Sequence, residues 1–190
     1  MTGQKPPLQP KHVWAIRTRL QLANKTRDLA LFNLAIDSKL RGCDVVRLLA
    51  EEIAPNGLCV DRATIRQRKT GRPVRFEITE QTRQSVLAHL KDRLQDQSPY
   101  LFPSRANPDR HLSTRQYARL VSGWVESIGL DPSLYGTHSL RRTKATLIYR
   151  QTGNLQAVQL LLGHTKIEST VRYLGVEVDD ALALSEQTDV

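Results

Sequence analysis

The chain reads as a mainly α protein carrying one small antiparallel β-hairpin, an α+β arrangement in which helices make the body. Three observations predict this. Apolar residues recur at helical spacing over most of the 190 residues. The period changes to alternation only between residues 58 and 78. Neither an internal repeat nor a Pro/Gly/Ser-rich linker divides the chain, so one core with a hairpin inserted accounts for the pattern.

The elements follow in order. Residues 1–10 hold Pro6, Pro7 and Pro10 and read as a disordered arm with nothing to bury. From about 11 to 54 the pattern is helical: Val13, Ile16, Leu20 and Ala23 share a face. A break is expected near Asn24–Asp28, after which Leu31, Leu34 and Ala35 continue the pattern. Val45, Val46, Leu48 and Leu49 form a further apolar stretch, and Pro55-Asn56-Gly57 is a turn. Ala63, Ile65 and Gln67 then alternate with polar residues, as do Val74, Phe76 and Ile78; Lys69-Thr70-Gly71 between them makes a hairpin with Lys69 near its tip. Helix resumes over about 80–95 with Val86, Leu87, Leu90 and Leu94 on one side. A proline-containing loop leads to a helix capped by Ser113 or Thr114, with the stripe Tyr117, Leu120, Val121, Trp124, Val125 and Ile128. Thr137 caps the next helix, to about 149, and Asn154 caps another that stops at Gly163. A short helix carries Tyr173, and a last one is expected over about 177–186.

The bulk numbers narrow the partners. Net charge is +9, but residues 174–190 carry five acids and no base, which leaves +14 on residues 1–173. A body that basic collects polyanions, and nucleic acid is the default. Cys43 and Cys59 have no metal-ligand spacing and fit a reducing compartment. Neither a signal peptide nor a run approaching the roughly 18 apolar residues of a membrane span is present. The expectation is a cytoplasmic protein.

Several side chains could carry chemistry. His138 and Arg141 are three apart on one predicted helix, so they share a face. His164 follows Gly163 at a helix end, where a histidine ordinarily complements the helix dipole. Arg41 stands at a helix start, where a cation is mildly unfavourable. Lys69 alone would be a solubilising lysine, and Tyr173 alone a core or rim tyrosine. Each is unremarkable singly. As an ordered set they are what cutting a phosphodiester without a metal requires: a tyrosine nucleophile and cations to carry the phosphate charge.

Order and spacing together resemble the catalytic domain of the tyrosine recombinases, the phage-integrase family, over about residues 26–175. The first family box reads Lys39-Leu40-Arg41-Gly42-Cys43-Asp44-Val45, with Lys39 where a glycine is usual. The hairpin lysine matches Lys69. The second box is His138-Ser139-Leu140-Arg141-Arg142-Thr143, and the third is Leu162-Gly163-His164 followed by Thr170-Val171-Arg172-Tyr173.

The resemblance implies the tyrosine recombinase catalytic-domain fold over residues 11–175. It implies catalytic roles for Arg41, Lys69, His138, Arg141, His164 and Tyr173, with Asp44 in support. Tyr173 would attack the phosphate, Arg41, Arg141 and His164 would hold it, His138 would handle the tyrosine proton, and Lys69 would protonate the departing 5′-oxygen. Neither metal, ATP nor other cofactor is required. Double-stranded DNA is the implied partner, with a homo-oligomer, a tetramer on paired sites, and an accessory DNA-bending protein. An N-terminal DNA-clamping domain common in the family is expected to be missing. The acidic segment 176–190 is the candidate for docking on a neighbouring subunit. DNA-contacting arginines are expected among Arg66, Arg68, Arg72, Arg105, Arg110, Arg115, Arg119 and Arg142. Two alternatives remain open at this point: a type IB topoisomerase-like relaxase and a non-catalytic protein that occupies and regulates recombination sites.

Overall fold

The computed structural model describes residues 4–93 and 97–175. Among these described residues are nine α-helices, a 3-10 turn (Pro55–Gly57) and one two-stranded sheet, in the order α1 (Pro10–Leu22), α2 (Thr26–Ser38), α3 (Gly42–Val45), α4 (Ala50–Ile53), the 3-10 turn, β1 (Arg62–Arg66), β2 (Pro73–Glu77), α5 (Glu80–Asp92), α6 (Thr114–Ser127), α7 (Thr137–Thr152), α8 (Leu155–Leu162) and α9 (Ile167–Leu174). The expected α+β arrangement is what the chain adopts.

Helix α2 is the centre. It is enclosed almost all round, from Ala30 to Ser38, with α1, α5, α7 and β2 packed on its faces. Its sequence explains this: Leu31, Phe32, Leu34, Ala35 and Ile36 cover more than one face, as a helix buried on all sides requires. Phe32 meets Trp124 of α6 edge-on, with ring centroids 5.6 Å apart. The helical run breaks at Ala23–Lys25, slightly earlier than expected, where Asn24 takes a left-handed turn.

The hairpin is antiparallel, pairing Arg62 with Glu77 through Arg66 with Pro73. Ala63, Ile65, Val74 and Phe76 point inward, so the alternation read from the sequence is the alternation of burial. Beyond the last pair, the Gln67 N–H still donates to the Arg72 carbonyl at 2.9 Å. Lys69 therefore rides at the exposed tip.

Four expectations are corrected. The N-terminal segment is docked rather than loose: Leu8 is buried, its N–H donates to Thr143 Oγ1, and the Lys5 ammonium bonds the carbonyls of Ser133 and Tyr135. A single apolar residue and a few polar anchors suffice where proline has already limited the chain's freedom. Helix α5 turns Thr82, Ser85, Val86 and His89 inward and leaves Leu87 exposed, because it faces the polar groups of α2 rather than an apolar surface. Leu49, expected in an apolar stretch, is exposed as the residue before α4. Gly136, not Thr137, is the cap of α7; its N–H donates to Ser139 Oγ at 3.2 Å, while Thr137 packs over Gly42. The expected caps Ser113 and Asn154 do accept from Gln116 N–H and Ala157 N–H. The expected last helix and acidic tail lie outside the described residues.

Candidate active site

The site is assembled where the start of α3, the end of the hairpin, α7, the α8–α9 turn and α9 meet. Helix α2 ends as Lys39 adopts a left-handed conformation (φ 54°, ψ 22°), which reverses the chain and presents Arg41 as the extended cap of α3. A left-handed turn suits glycine, and a side chain there costs about 1–2 kcal/mol. Lys39 offsets this through its ammonium, which is fully enclosed and bonds Glu77 at 3.0 and 3.1 Å. The unusual residue in the first box is thus tied to the hairpin.

One turn on, buried Asp44 accepts the Arg68 N–H at 2.9 Å and pins the hairpin tip to α3. Between these points lies Gln67, which is 1% exposed. Its Oε1 accepts from Arg41 Nη1 at 2.6 Å and from the Thr70 hydroxyl at 3.1 Å. Its Nε2 donates to the Leu162 carbonyl at 3.2 Å. The same carbonyl accepts from Arg141 Nη2 at 3.0 Å.

Arg141 comes from the first turns of α7, buried but for 3% of its surface. Burial, then the like charge of Arg41, lowers its pKa, while Tyr173 and Asp44 pull the other way. His138 lies one turn earlier on the same helix and is exposed at its edge. Desolvation and the charges of Arg141, Arg41 and Arg142 depress its pKa. His164 follows the left-handed Gly163 that closes α8. Its Nδ1 lies 3.1 Å from Thr170 Oγ1, and its pKa falls to about 4 through burial and the charges of Arg141 and Arg41. A histidine so placed stays neutral near pH 7.

Tyr173 is packed among these groups. Its ring meets His164 edge-on at 5.4 Å, and the guanidiniums of Arg141 and Arg142 lie 5.4 and 5.3 Å from its centre. Its hydroxyl is buried without a hydrogen-bond partner among the described residues. Burial raises its pKa to about 12, against the pull of Arg141, Arg142 and Arg41.

The structure thus brings Arg41, Arg141, His164 and Tyr173 into one cluster, with His138 at its rim. Lys69 stands apart, exposed at the hairpin tip. Arg142, expected among the DNA contacts, is instead buried: it holds the Gln4 side chain at 2.7 Å and the Lys5 carbonyl at 3.2 Å, and covers Tyr173. It lies in the stretch Ser139–Thr143 that α7 buries, so it is not free at the surface. Arg66, Arg68, Arg72, Arg105, Arg110, Arg115 and Arg119 are exposed. Arg105, with Lys25, Arg27 and Arg93, lines a separate cavity of about 700 Å³ that none of the six catalytic candidates reaches. Sequence reasoning passed over Gln67, although an amide at an inward position of the Ala63–Ile65–Gln67 alternation was a signal for it.

The model of the phage integrase family matches residues 8–179. The chain is 29% identical over 163 residues to a probable integrase/recombinase, YoeC, of Bacillus subtilis, covering 85% of each. It is 30% identical over 162 residues to the tyrosine recombinase XerC of Caldanaerobacter subterraneus, covering 83% of this chain but 43% of that one. Among solved structures, XerA recombinase superposes with a TM-score of 0.79 at 18% identity, over 98% of this chain and 66% of that one. XerH recombinase bound to its difH substrate before cleavage superposes with a TM-score of 0.76 at 16% identity, over 97% and 55%. The chain therefore spans about half the length of most of these relatives, though nearly all of one. With the match running from the docked N-terminal segment to beyond Tyr173, the chain belongs to the phage integrase family of tyrosine recombinases.

Proposed function

We propose that this protein is a site-specific DNA recombinase that cuts and rejoins double-stranded DNA through a tyrosyl-phosphate link. The observation that carries the reading is the convergence of Arg41, Arg141, His164 and Tyr173 from separate segments around one spot. Two guanidiniums brought to one spot have an anion as their natural ligand.

The Tyr173 oxygen attacks the scissile phosphorus and loses its proton, which His138 takes directly or by way of the phosphate. Arg41 and Arg141 fork onto the nonbridging oxygens and stabilise the charge of the pentacoordinate transition state. His164, neutral and with Thr170 beside its Nδ1, offers Nε2–H to the same phosphate. The bond to the 5′-oxygen breaks, and Lys69 supplies that oxygen with a proton once the hairpin tip closes on the DNA. The products are a 3′-phosphotyrosyl linkage and a free 5′-hydroxyl. Attack by another strand's 5′-hydroxyl reverses the step, so the bond energy is conserved. Integration, excision and inversion all use this chemistry. Strand exchange implies paired sites and a tetramer of this chain, with an accessory DNA-bending protein and a cytoplasmic location completing the proposal.

The test is covalent trapping on nicked duplexes tiled across candidate sites. Wild-type protein should yield a denaturant-resistant adduct, and Tyr173→Phe none. An adduct that persists in Tyr173→Phe would remove Tyr173 as nucleophile. Equal DNA binding by both proteins with no adduct from either, even with cell extract added, would favour a non-catalytic regulator.

A further inference from the structure

The inward face of β1 continues past the last strand pair into Gln67, so the third residue of the stripe Ala63, Ile65, Gln67 is a buried amide. An apolar side chain would extend that stripe without the desolvation cost of a polar group. The amide is there at a cost, and its hydrogen bonds identify what it does. Its oxygen takes one donor from Arg41 and one from Thr70; its nitrogen binds the Leu162 carbonyl, which Arg141 also binds. Arg41, Gln67, the Leu162 carbonyl and Arg141 therefore form one continuous chain of hydrogen bonds. Thr70 links that chain to the hairpin tip beside Lys69.

We propose that Gln67 is a positioning residue for DNA cleavage, setting the two guanidiniums of Arg41 and Arg141 at the spacing that a phosphate requires. The inference rests on the reading of these arginines as the phosphate clamp. Two cations in one site repel, and an undirected guanidinium on a four-bond stem has many rotamers. A carboxylate would fix Arg41 more strongly but would also neutralise the charge that the phosphate needs. A neutral amide orients without quenching. It is also the one side chain among the described residues that bonds both the clamp and the hairpin. It thereby links arginine geometry to the placement of the Lys69 acid, although it touches neither phosphate nor leaving group itself.

The test uses the full chain with Gln67→Met, which keeps size and removes all three hydrogen bonds, and Gln67→Glu, which keeps the acceptor and adds a charge. Each is assayed at saturating DNA for the rate of adduct formation on a nicked duplex. The scissile group is either the normal phosphodiester or a methylphosphonate, which carries no charge for arginine to clamp. Arg41→Ala runs alongside. Both Gln67 variants should lose roughly ten- to a hundredfold on the phosphodiester. On the methylphosphonate the loss should shrink to less than about threefold, as a clamp effect requires. An equal loss on both substrates would make Gln67 a merely structural residue, and no loss on the phosphodiester would overturn the proposal outright. Should Gln67→Met fail to fold, Gln67→Glu decides alone. If Arg41→Ala itself shows no preference for the uncharged substrate, the clamp reading falls, and that failure is distinct from a failure of Gln67 alone.

Discussion

Tyr173 is held in a state unsuited to attack. Its hydroxyl is buried with no hydrogen-bond partner among the described residues, and burial raises its pKa to about 12 despite three arginines nearby. A buried hydroxyl without a partner costs about 1–3 kcal/mol. Removing it should therefore help the DNA-free fold while ending the chemistry. Tyr173→Phe is expected to raise the melting temperature by about 2–4 °C, since roughly 1 kcal/mol has that effect at this size. A thermal melt followed by circular dichroism checks this, and a lower melting temperature would show that the hydroxyl has a partner. Lys69 stands apart, whereas the clustering of Arg41, Arg141, His164 and Tyr173, with His138 at the rim, was legible in the sequence because each sits in a short run of recognisable spacing. Their protonation states were not. The neutral His164, with its pKa near 4, results first from burial and then from Arg141 and Arg41, which approach it from α7 and the start of α3, far away in the chain. Gln67 stayed hidden for the same reason: its partners at Arg41 and Leu162 lie 26 and 95 positions away.

At the level of elements, the site depends on how closely α8 meets the hairpin. Gly163 closes α8 at φ 65°, and a Cβ there would stand 2.5 Å from Val74 Cγ2 and 3.1 Å from Gln67 Nε2. The sequence marked Gly163 as a helix stop, which it is, but only the packing reveals that its lack of a side chain lets the hairpin approach. Gly163→Ala combines left-handed strain of about 1 kcal/mol with overpacking of about 1–3 kcal/mol. It should lower stability by about 2–4 kcal/mol in denaturant titration. It should also slow adduct formation more than Ala at the left-handed Gly153, where a Cβ meets nothing within 4 Å. Similar losses at both sites would reduce the effect to backbone strain. Helix α5 shows the converse limit. Its position was legible, but its inward face was not, because periodicity assumes an apolar partner. The partner here offers Asn33 to Ser85 at 3.1 Å and Asp37 to Thr82 at 2.6 Å, so polar residues turn in and Leu87 turns out.

Across the whole molecule, a partly buried ionic network joins the three segments that the site needs in register. Lys144 of α7 bonds Asp37 of α2 at 2.7 Å and Glu77 of β2 at 2.6 Å, while Lys39 bonds Glu77 from the end of α2. The docked N-terminal segment adds a second tie, since the Gln4 amide donates to the Arg172 carbonyl beside Tyr173 and accepts from Arg142. Neither tie was legible in the sequence: Lys39 read as a departure from a motif, and residues 4–9 as a loose arm. Glu77 holds the network together. Burial alone would raise its pKa, but Lys39 and Lys144 outweigh that and hold it below the ordinary value. Glu77→Gln would leave the Lys39 ammonium enclosed with no carboxylate. Breaking a fully buried pair costs about 3–5 kcal/mol. Glu77 is partly exposed, and Lys144 keeps Asp37, so a loss of about 2 kcal/mol is expected here. The sign of the pH effect follows from the lowered pKa. The wild-type advantage is fully present above the unfolded value of about 4.5 and disappears as pH falls through the folded one. Denaturant titration of both proteins at pH 7 and at successively lower pH should therefore show two curves converging in acid. A gap that stays constant with pH would mean that Glu77 acts through packing and that charge does not hold the hairpin to α2 and α7.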